Sequence, residues 1–114
     1  MSKYLNFAKG VYGENLAVKY LKKKRFKIIE KNFKTYTGEI DIIAYKNKIY
    51  HIIEVKYRKN NDFGYPREAV NREKQAKIRR TAEAYFAYKN IIAMVNFDVI
   101  EIIGEEINLI ERAF

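Results

Sequence analysis

The chain has no cysteine and a single histidine, His51. Disulfides and thiolate zinc sites are therefore excluded, and so are clusters built on several imidazoles. Any metal would be held by oxygen ligands, which points to Mg2+ or Mn2+. No run approaches 18 apolar residues, so no segment reads as a membrane span. The opening MSKYLNFAKG holds no apolar stretch of signal-peptide length, and a cytoplasmic location is the expectation. Acids are the minority, with 14 Asp and Glu against 23 Lys and Arg and a net charge of +9. The pI is about 9.6. That surplus suggests a polyanion partner, most simply nucleic acid; a lysine-rich surface kept for solubility is the plain alternative. It also makes the few acids informative, because they run against the overall trend.

What is present organises itself around one hairpin, GEIDIIAYKNKIYHIIEVKYR from Gly38 to Arg58. Two runs rich in Ile, Val and Tyr flank a polar turn, the signature of two antiparallel strands. With Asn47-Lys48 as the loop, Lys46 faces Ile49, Tyr45 faces Tyr50, Ile43 faces Ile52, and Asp41 faces Glu54. Cβ atoms of such facing residues lie about 5 Å apart. Two carboxylates so placed repel unless something positive lies between them. Lys56 follows Glu54 by two and projects from the same face. Strands this apolar are expected to be covered on both sides, where an unpaired charge is costly. Either lysines neutralise a partly solvated strand face, or two acids and a lysine form a divalent-metal site suited to phosphodiester hydrolysis.

At 114 residues, 48% of them hydrophobic, residues 1–114 make one domain. Gly13 to Arg25 reads as an amphipathic helix burying Leu16, Ala17, Tyr20 and Leu21, preceded by an arm or an early start to that helix. Glu14 borders its apolar face; a first-turn acid complementing the helix dipole is the simple explanation. Phe26 to Tyr36 reads as a strand, with a bulge or turn at Lys31-Asn32. Residues 58–66 form a loop holding Gly64 and the single proline, with Arg58, Lys59 and two aromatics able to meet phosphate and base. Arg67 to Lys89 reads as a helix burying Val70, Ile78, Ala82, Tyr85 and Phe86. Lys74 sits on or beside that stripe, and Arg72, Lys77, Arg79 and Arg80 spread over its remaining surface. Ile91 to Ile103 is a β-branched strand interrupted by Asp98, and residues 106–110 add a short final strand. The order is that of an α/β fold, a mixed sheet with helices against it.

That order, with Asp41 on one strand and Glu54-Val55-Lys56 on the next, resembles the PD-(D/E)XK nuclease superfamily and its restriction-endonuclease-like αβββαβ core. The likeness narrows to the YraN-like family. It is carried by Gly13-Glu14 with Ala17, Tyr20 and Leu21; by Gly38-Glu39-Ile40-Asp41; and by Glu54-Val55-Lys56 with Arg58. Phe63-Gly64 with Pro66, Glu68-Ala69-Val70, Lys74 and Phe97-Asp98-Val99 complete it. The resemblance implies a fold related to archaeal Holliday-junction resolvases. It implies Asp41 and Glu54 as metal ligands with the Val55 carbonyl, and Glu14 as an accessory ligand, directly or through water. Lys56 would stabilise the attacking hydroxide or the developing charge, and Lys74 would hold a phosphate. Arg25 departs from the family, which often has glycine there, as does Asn96, where an arginine often precedes Phe97-Asp98.

The expectation is a Mg2+- or Mn2+-dependent endonuclease or resolvase-like enzyme acting on DNA. Arg58, Lys59, Lys74 and Lys77 would contact nucleic acid, and two copies would pair by analogy with resolvases. The alternative is a nucleic-acid-binding module that keeps the fold without catalysis.

Overall fold

The computed structural model describes residues 3–58 and 70–114, and side chains over 12–57 and 70–114. Helix α1 (Lys3–Lys23) leads into strands β1 (Lys27–Thr35), β2 (Gly38–Lys46) and β3 (Ile49–Arg58). Helix α2 (Arg72–Lys89) then crosses to β4 (Met94–Ile103), and β5 (Glu106–Ile110) closes the sheet. The strands lie in the order β1-β2-β3-β4-β5. Among the described strands only the β3–β4 pair is parallel, as a helical crossover requires. This is the expected α/β mixed sheet, flanked by two helices.

The sheet separates two cores. Ala17 and Leu21 of α1 pack with Phe26, Ile42, Ala44, Ile53, Ile100 and Ile102. On the other face Ile78, Ala82 and Tyr85 of α2 pack with Ile40, Ile43, Ile52 and Val99. Cover on both faces explains why β2 and β3 are apolar almost throughout rather than alternating. Ile42 belongs to the α1 core while Ile40 and Ile43 both belong to the α2 core. The alternation therefore slips by one residue at Asp41, the position of interest.

Asn47 and Lys48 both take positive φ, 51° and 66°, as a tight two-residue hairpin demands. Tyr45↔Tyr50 and Ile43↔Ile52 pair as expected. Several details differ from the sequence reading, among them the start of β4, at Met94 and not Ile91. Helix α1 starts at Lys3, the early-start option. Helix α2 starts at Arg72, because extended Asn71 caps it by accepting the Lys74 N–H at 2.9 Å. In β1 the register shifts between Ile28 and Glu30, ahead of the expected Lys31-Asn32, while Asn32 itself is left-handed at φ 53°.

The end of α1 shows what Arg25 does. Phe26 N–H bonds to Leu21 O and Arg25 N–H to Lys22 O, both at 3.0 Å. These are the two bonds of a Schellman cap, with Arg25 in the left-handed position at φ 70°. A side chain there is strained where glycine is not. Lys46 supports the cap from the hairpin, donating from Nζ to Lys24 O at 2.7 Å. Arg25→Gly is expected to stabilise the fold by roughly 0.5–1 kcal/mol, read as a higher midpoint with an unchanged slope in urea unfolding.

No helix among the described residues is long and apolar enough to cross a membrane. The chain end is fastened to α2 and β4: Ala113 N–H bonds to Phe97 O at 2.8 Å. The Arg79 guanidinium lies 4.4 Å from the Phe97 ring and 5.7 Å from that of Phe114.

Candidate metal and phosphate site

The β2–β3 ladder runs from Lys46↔Ile49 to Ile42↔Ile53 and stops there. Beyond it Asp41 enters the seam with its side chain, whose Oδ2 accepts the Val55 N–H at 2.8 Å. Glu54, on the next strand, is 7% exposed. Its Oε1 accepts from Lys74 Nζ at 2.8 Å, with Lys56 Nζ at 3.6 Å. Lys74 comes from the first turn of α2 and Lys56 from β3 itself, so two elements and one side of the sheet supply both cations.

The electrostatics follow from burial. Desolvation and the charge of Glu54 push the Asp41 carboxyl from 3.8 up to about 7, with Glu39 adding to the rise. The Val55 N–H and Lys74 oppose it. Lys56 is lowered from the ordinary lysine value by burial, by its hydrogen bond with Lys74 and by the Lys74 charge. For Lys74 burial pulls the same way, but hydrogen bonds to Glu54 and Lys56 outweigh it and raise its pKa. Lys74 thus holds its proton firmly and Lys56 holds its own loosely.

A carboxyl whose folded pKa exceeds its unfolded one binds its proton more tightly when folded, so its contribution to stability falls as pH rises. For Asp41 the window runs from about 3.8 to about 7. Asp41→Asn keeps an acceptor for Val55 N–H and removes the titration. In chelator, the melting temperature of Asp41→Asn minus that of the wild type is expected to grow from pH 4.5 to pH 8. A difference that stays flat with pH would show that Asp41 is not crowded.

Glu14 stands apart from this pair. It accepts from Asn32 Nδ2 at 2.9 Å, and among the described residues Glu14, Asp41 and Glu54 do not close into one ligand group. Gly13, beside Glu14, sets how closely α1 approaches β3, for a Cβ there would lie 2.9 Å from Tyr57 Cβ. The bare backbone lets α1 lie directly on the end of β3. Asn32 falls between Lys31↔Ile42 and Phe33↔Ile40 in the register, opposite Asp41. It is a site residue that the sequence reading saw only as a bulge. Lys77 sits a turn beyond Lys74 on the α2 surface, 3.7 Å from Glu73. Lys59, the loop aromatics and the Arg58 side chain lie outside the described residues.

Oxygen donors fit a hard divalent ion here. Asp41 and Glu54 are carboxylates near enough that the Glu54 charge adds to the rise that burial gives the Asp41 pKa. A concavity of about 370 Å³ between α2 and β4, lined by Arg79, Ala82, Glu83, Phe86, Val95 and Phe97, is mostly apolar and holds none of these groups.

The sequence pattern described as "Uncharacterised protein family UPF0102" matches residues 13–102. The chain belongs to this family. It is 48% identical over 99 residues to a UPF0102 protein of Cytophaga hutchinsonii, covering 87% of this chain and 88% of that one. It is 47% identical over 109 residues to one of Alkaliphilus metalliredigens, covering 92% and 96%. Glu14, Asn32, Asp41, Glu54, Lys56 and Lys74 all fall inside the matched span of this UPF0102 chain.

A second polar group, also missed from the sequence, lies on the α1 side of the sheet. His51 Nδ1 donates to Asp98 Oδ2 at 2.6 Å, and both residues are buried, at 3% and 0% exposure. Asp98 Oδ1 accepts Arg112 N–H at 2.8 Å. His51, Asp98 and Glu111 present ligand atoms within 4.8 Å of one another, the one such trio among the described residues. Yet 2.6 Å is a hydrogen-bond length, and two ligands sharing an ion at about 2.0–2.2 Å each stand further apart than that. The pair is read as a structural clamp. His51 also stands beside Asn96 in the β3–β4 register. It gives Asp98 a partner in a chain that lacks the arginine before Phe97.

Proposed function

We propose that this UPF0102 protein is a divalent-metal-dependent nuclease hydrolysing phosphodiester bonds in nucleic acid, most simply DNA and most simply branched DNA. The observation that carries this reading is the pair Asp41 and Glu54, crowded at the end of a buried strand seam in a chain of net charge +9, with two lysines on Glu54. Asp41, Glu54 and the Val55 carbonyl would hold Mg2+ or Mn2+, and Glu14 would join through water, oriented by Asn32. When bound, the ion would supply an acidified water and shield the scissile phosphate. Lys56, with its lowered pKa, would stand by the attacking water and either take its proton or stabilise the charge that builds on the phosphorus oxygens. Lys74 would release Glu54 and take a non-bridging phosphate oxygen, and Lys77, Arg58 and Lys59 would follow the backbone. Cutting both strands of a junction would take two copies.

One observation favours a second reading. Lys74 Nζ lies 2.8 Å from Glu54 Oε1, so a lysine can satisfy this carboxylate without any ion. A nucleic-acid-binding module without turnover would look the same. Calorimetric titration of Mn2+ into the wild type and Asp41→Ala, with and without a four-way DNA junction, separates the two. The nuclease reading expects binding by the wild type that disappears in the variant, and junction affinity falling by about three decades between 50 and 200 mM salt for six or so phosphate contacts. Junction binding with no metal binding in either condition would leave the binding module.

A further inference from the structure

The β1–β2 turn carries Tyr36 at 102% relative exposure, as open to water as in an unfolded chain. The other large exposed apolar side chains differ in setting. Tyr12 rests edge-on against Tyr57, 5.5 Å between centroids. Tyr88 carries Lys89 over its ring. Ile92 and Met94 stand at the opposite end of the sheet, where β4 begins.

Tyr36 is held out on a braced support. Thr37 Oγ1 lies 2.7 Å from Thr35 Oγ1 and 3.0 Å from Thr81 Oγ1, and Thr37 N–H donates to Thr35 Oγ1 at 3.2 Å. Thr81 in turn donates to Lys77 O at 2.8 Å. A Cβ on Gly38 would come within 3.1 Å of Thr81 Oγ1 and 3.6 Å of Lys77 Cβ, so the turn abuts α2 with no gap. Three hydroxyls and a glycine thus fix the backbone under a ring that the fold does not bury. Fixing that backbone beforehand lowers the ordering cost of whatever the ring meets.

The turn also lies in line with the carboxylates. From Gly38 to Asp41 is three strand residues, about 10 Å. Along α2, Lys74 to Thr81 is seven residues, again about 10 Å. Half-exposed Lys77 stands between. That is the length of about three stacked nucleotides at 3.4 Å each, with a cation along the way.

We infer that Tyr36 is a stacking post for an unpaired base, about three nucleotides from the phosphate that Lys74 would take, so that the chain prefers nucleic acid with broken or missing base pairing over continuous duplex. The inference rests on the nucleic-acid part of the proposed function and not on hydrolysis. It is tested in EDTA, on the full chain, with a single-stranded oligonucleotide carrying 2-aminopurine and a blunt duplex of the same sequence. Wild type and Tyr36→Phe are expected to quench the probe. Tyr36→Leu is expected to lose the quench and to bind the single strand about 5- to 150-fold more weakly, with duplex affinity and melting temperature unchanged. Equal quenching and affinity in Tyr36→Leu, or equal losses on single strand and duplex, would overturn this inference alone. Failure of the wild type to bind either nucleic acid would overturn the reading beneath it as well.

Discussion

Lys56→Ala is expected to slow phosphodiester cleavage by two to three orders of magnitude while leaving Mn2+ affinity close to that of the wild type. The size follows from its place. A fixed donor aimed at charge that appears only in the transition state contributes about 3–4 kcal/mol in a site shielded from water. Lys56 Nζ is 3.6 Å from Glu54 Oε1 and only partly exposed. Metal affinity is spared because a cation beside the ligands weakens metal binding if it does anything. Lys74→Ala should behave differently. Its Nζ makes the shorter contact with Glu54, 2.8 Å, and holds its proton more firmly. Removing it frees a ligand and removes a phosphate contact, so metal affinity should rise and substrate affinity fall. The pH profile carries a further mark. Lys56 is lowered chiefly by burial and then by Lys74, so Lys74→Ala should move the alkaline limb of the rate profile upward. If Lys56→Ala cleaves at the wild-type rate, Lys56 has no part in the chemistry, and the lowering of its pKa records only burial and the neighbouring Lys74.

Much of this arrangement could be read in advance, and the exceptions share a cause. The hairpin register followed from two polar turn residues and the β-branched runs beside them, all local information. The register predicts Asp41 directly opposite Glu54, but the ladder ends one pair short of that, at Ile42↔Ile53. What could not be read is the slip at Asp41. It arises because a carboxylate takes the Val55 N–H in place of a backbone carbonyl, a competition that hydropathy does not register. Asn32 escaped notice for a related reason. Its partner Glu14 is 18 residues away, on a helix whose approach to β3 is set by Gly13. The cap at Asn71 did have a signal, an Asx residue just ahead of a charged first turn; the apolar Val70 drew the helix start too early. His51 and Asp98 had one as well. Each is a polar residue with apolar neighbours on either side in its strand, and two such residues in one core are natural partners. Their meeting depended on the parallel β3–β4 register, set by the α2 crossover.

Asp98→Ala is the substitution expected to cost most stability, about 3–5 kcal/mol, or roughly 12–20 °C in melting temperature at about 4 °C per kcal/mol. Small domains have only about 5–15 kcal/mol in all. The loss has two parts. His51, 3% exposed, is left without the carboxylate it donates to. Arg112 N–H is left without Asp98 Oδ1, at a backbone position already held at φ 53°. Both partners bind one buried residue, so the core on the α1 side and the C-terminal turn should loosen together. The hydrogen-exchange protection of Ala113 N–H, bonded to Phe97 O, should fall with the global stability or sooner. His51→Leu alone strands the buried carboxylate and should cost nearly as much. The double variant His51→Leu, Asp98→Val replaces the pair with apolar groups in an already apolar core beside Phe26, Ala44 and Ile100. It should therefore be clearly more stable than the summed losses of His51→Leu and Asp98→Val measured singly, with only the Arg112 N–H still unsatisfied. Strict additivity around this cycle would mean that the two residues do not act as a pair. The clamp lies on the α1 side of the sheet, while Glu54 and Lys74 meet on the α2 side. At temperatures where these variants remain folded, Mn2+ affinity at Asp41 and Glu54 should therefore be that of the wild type.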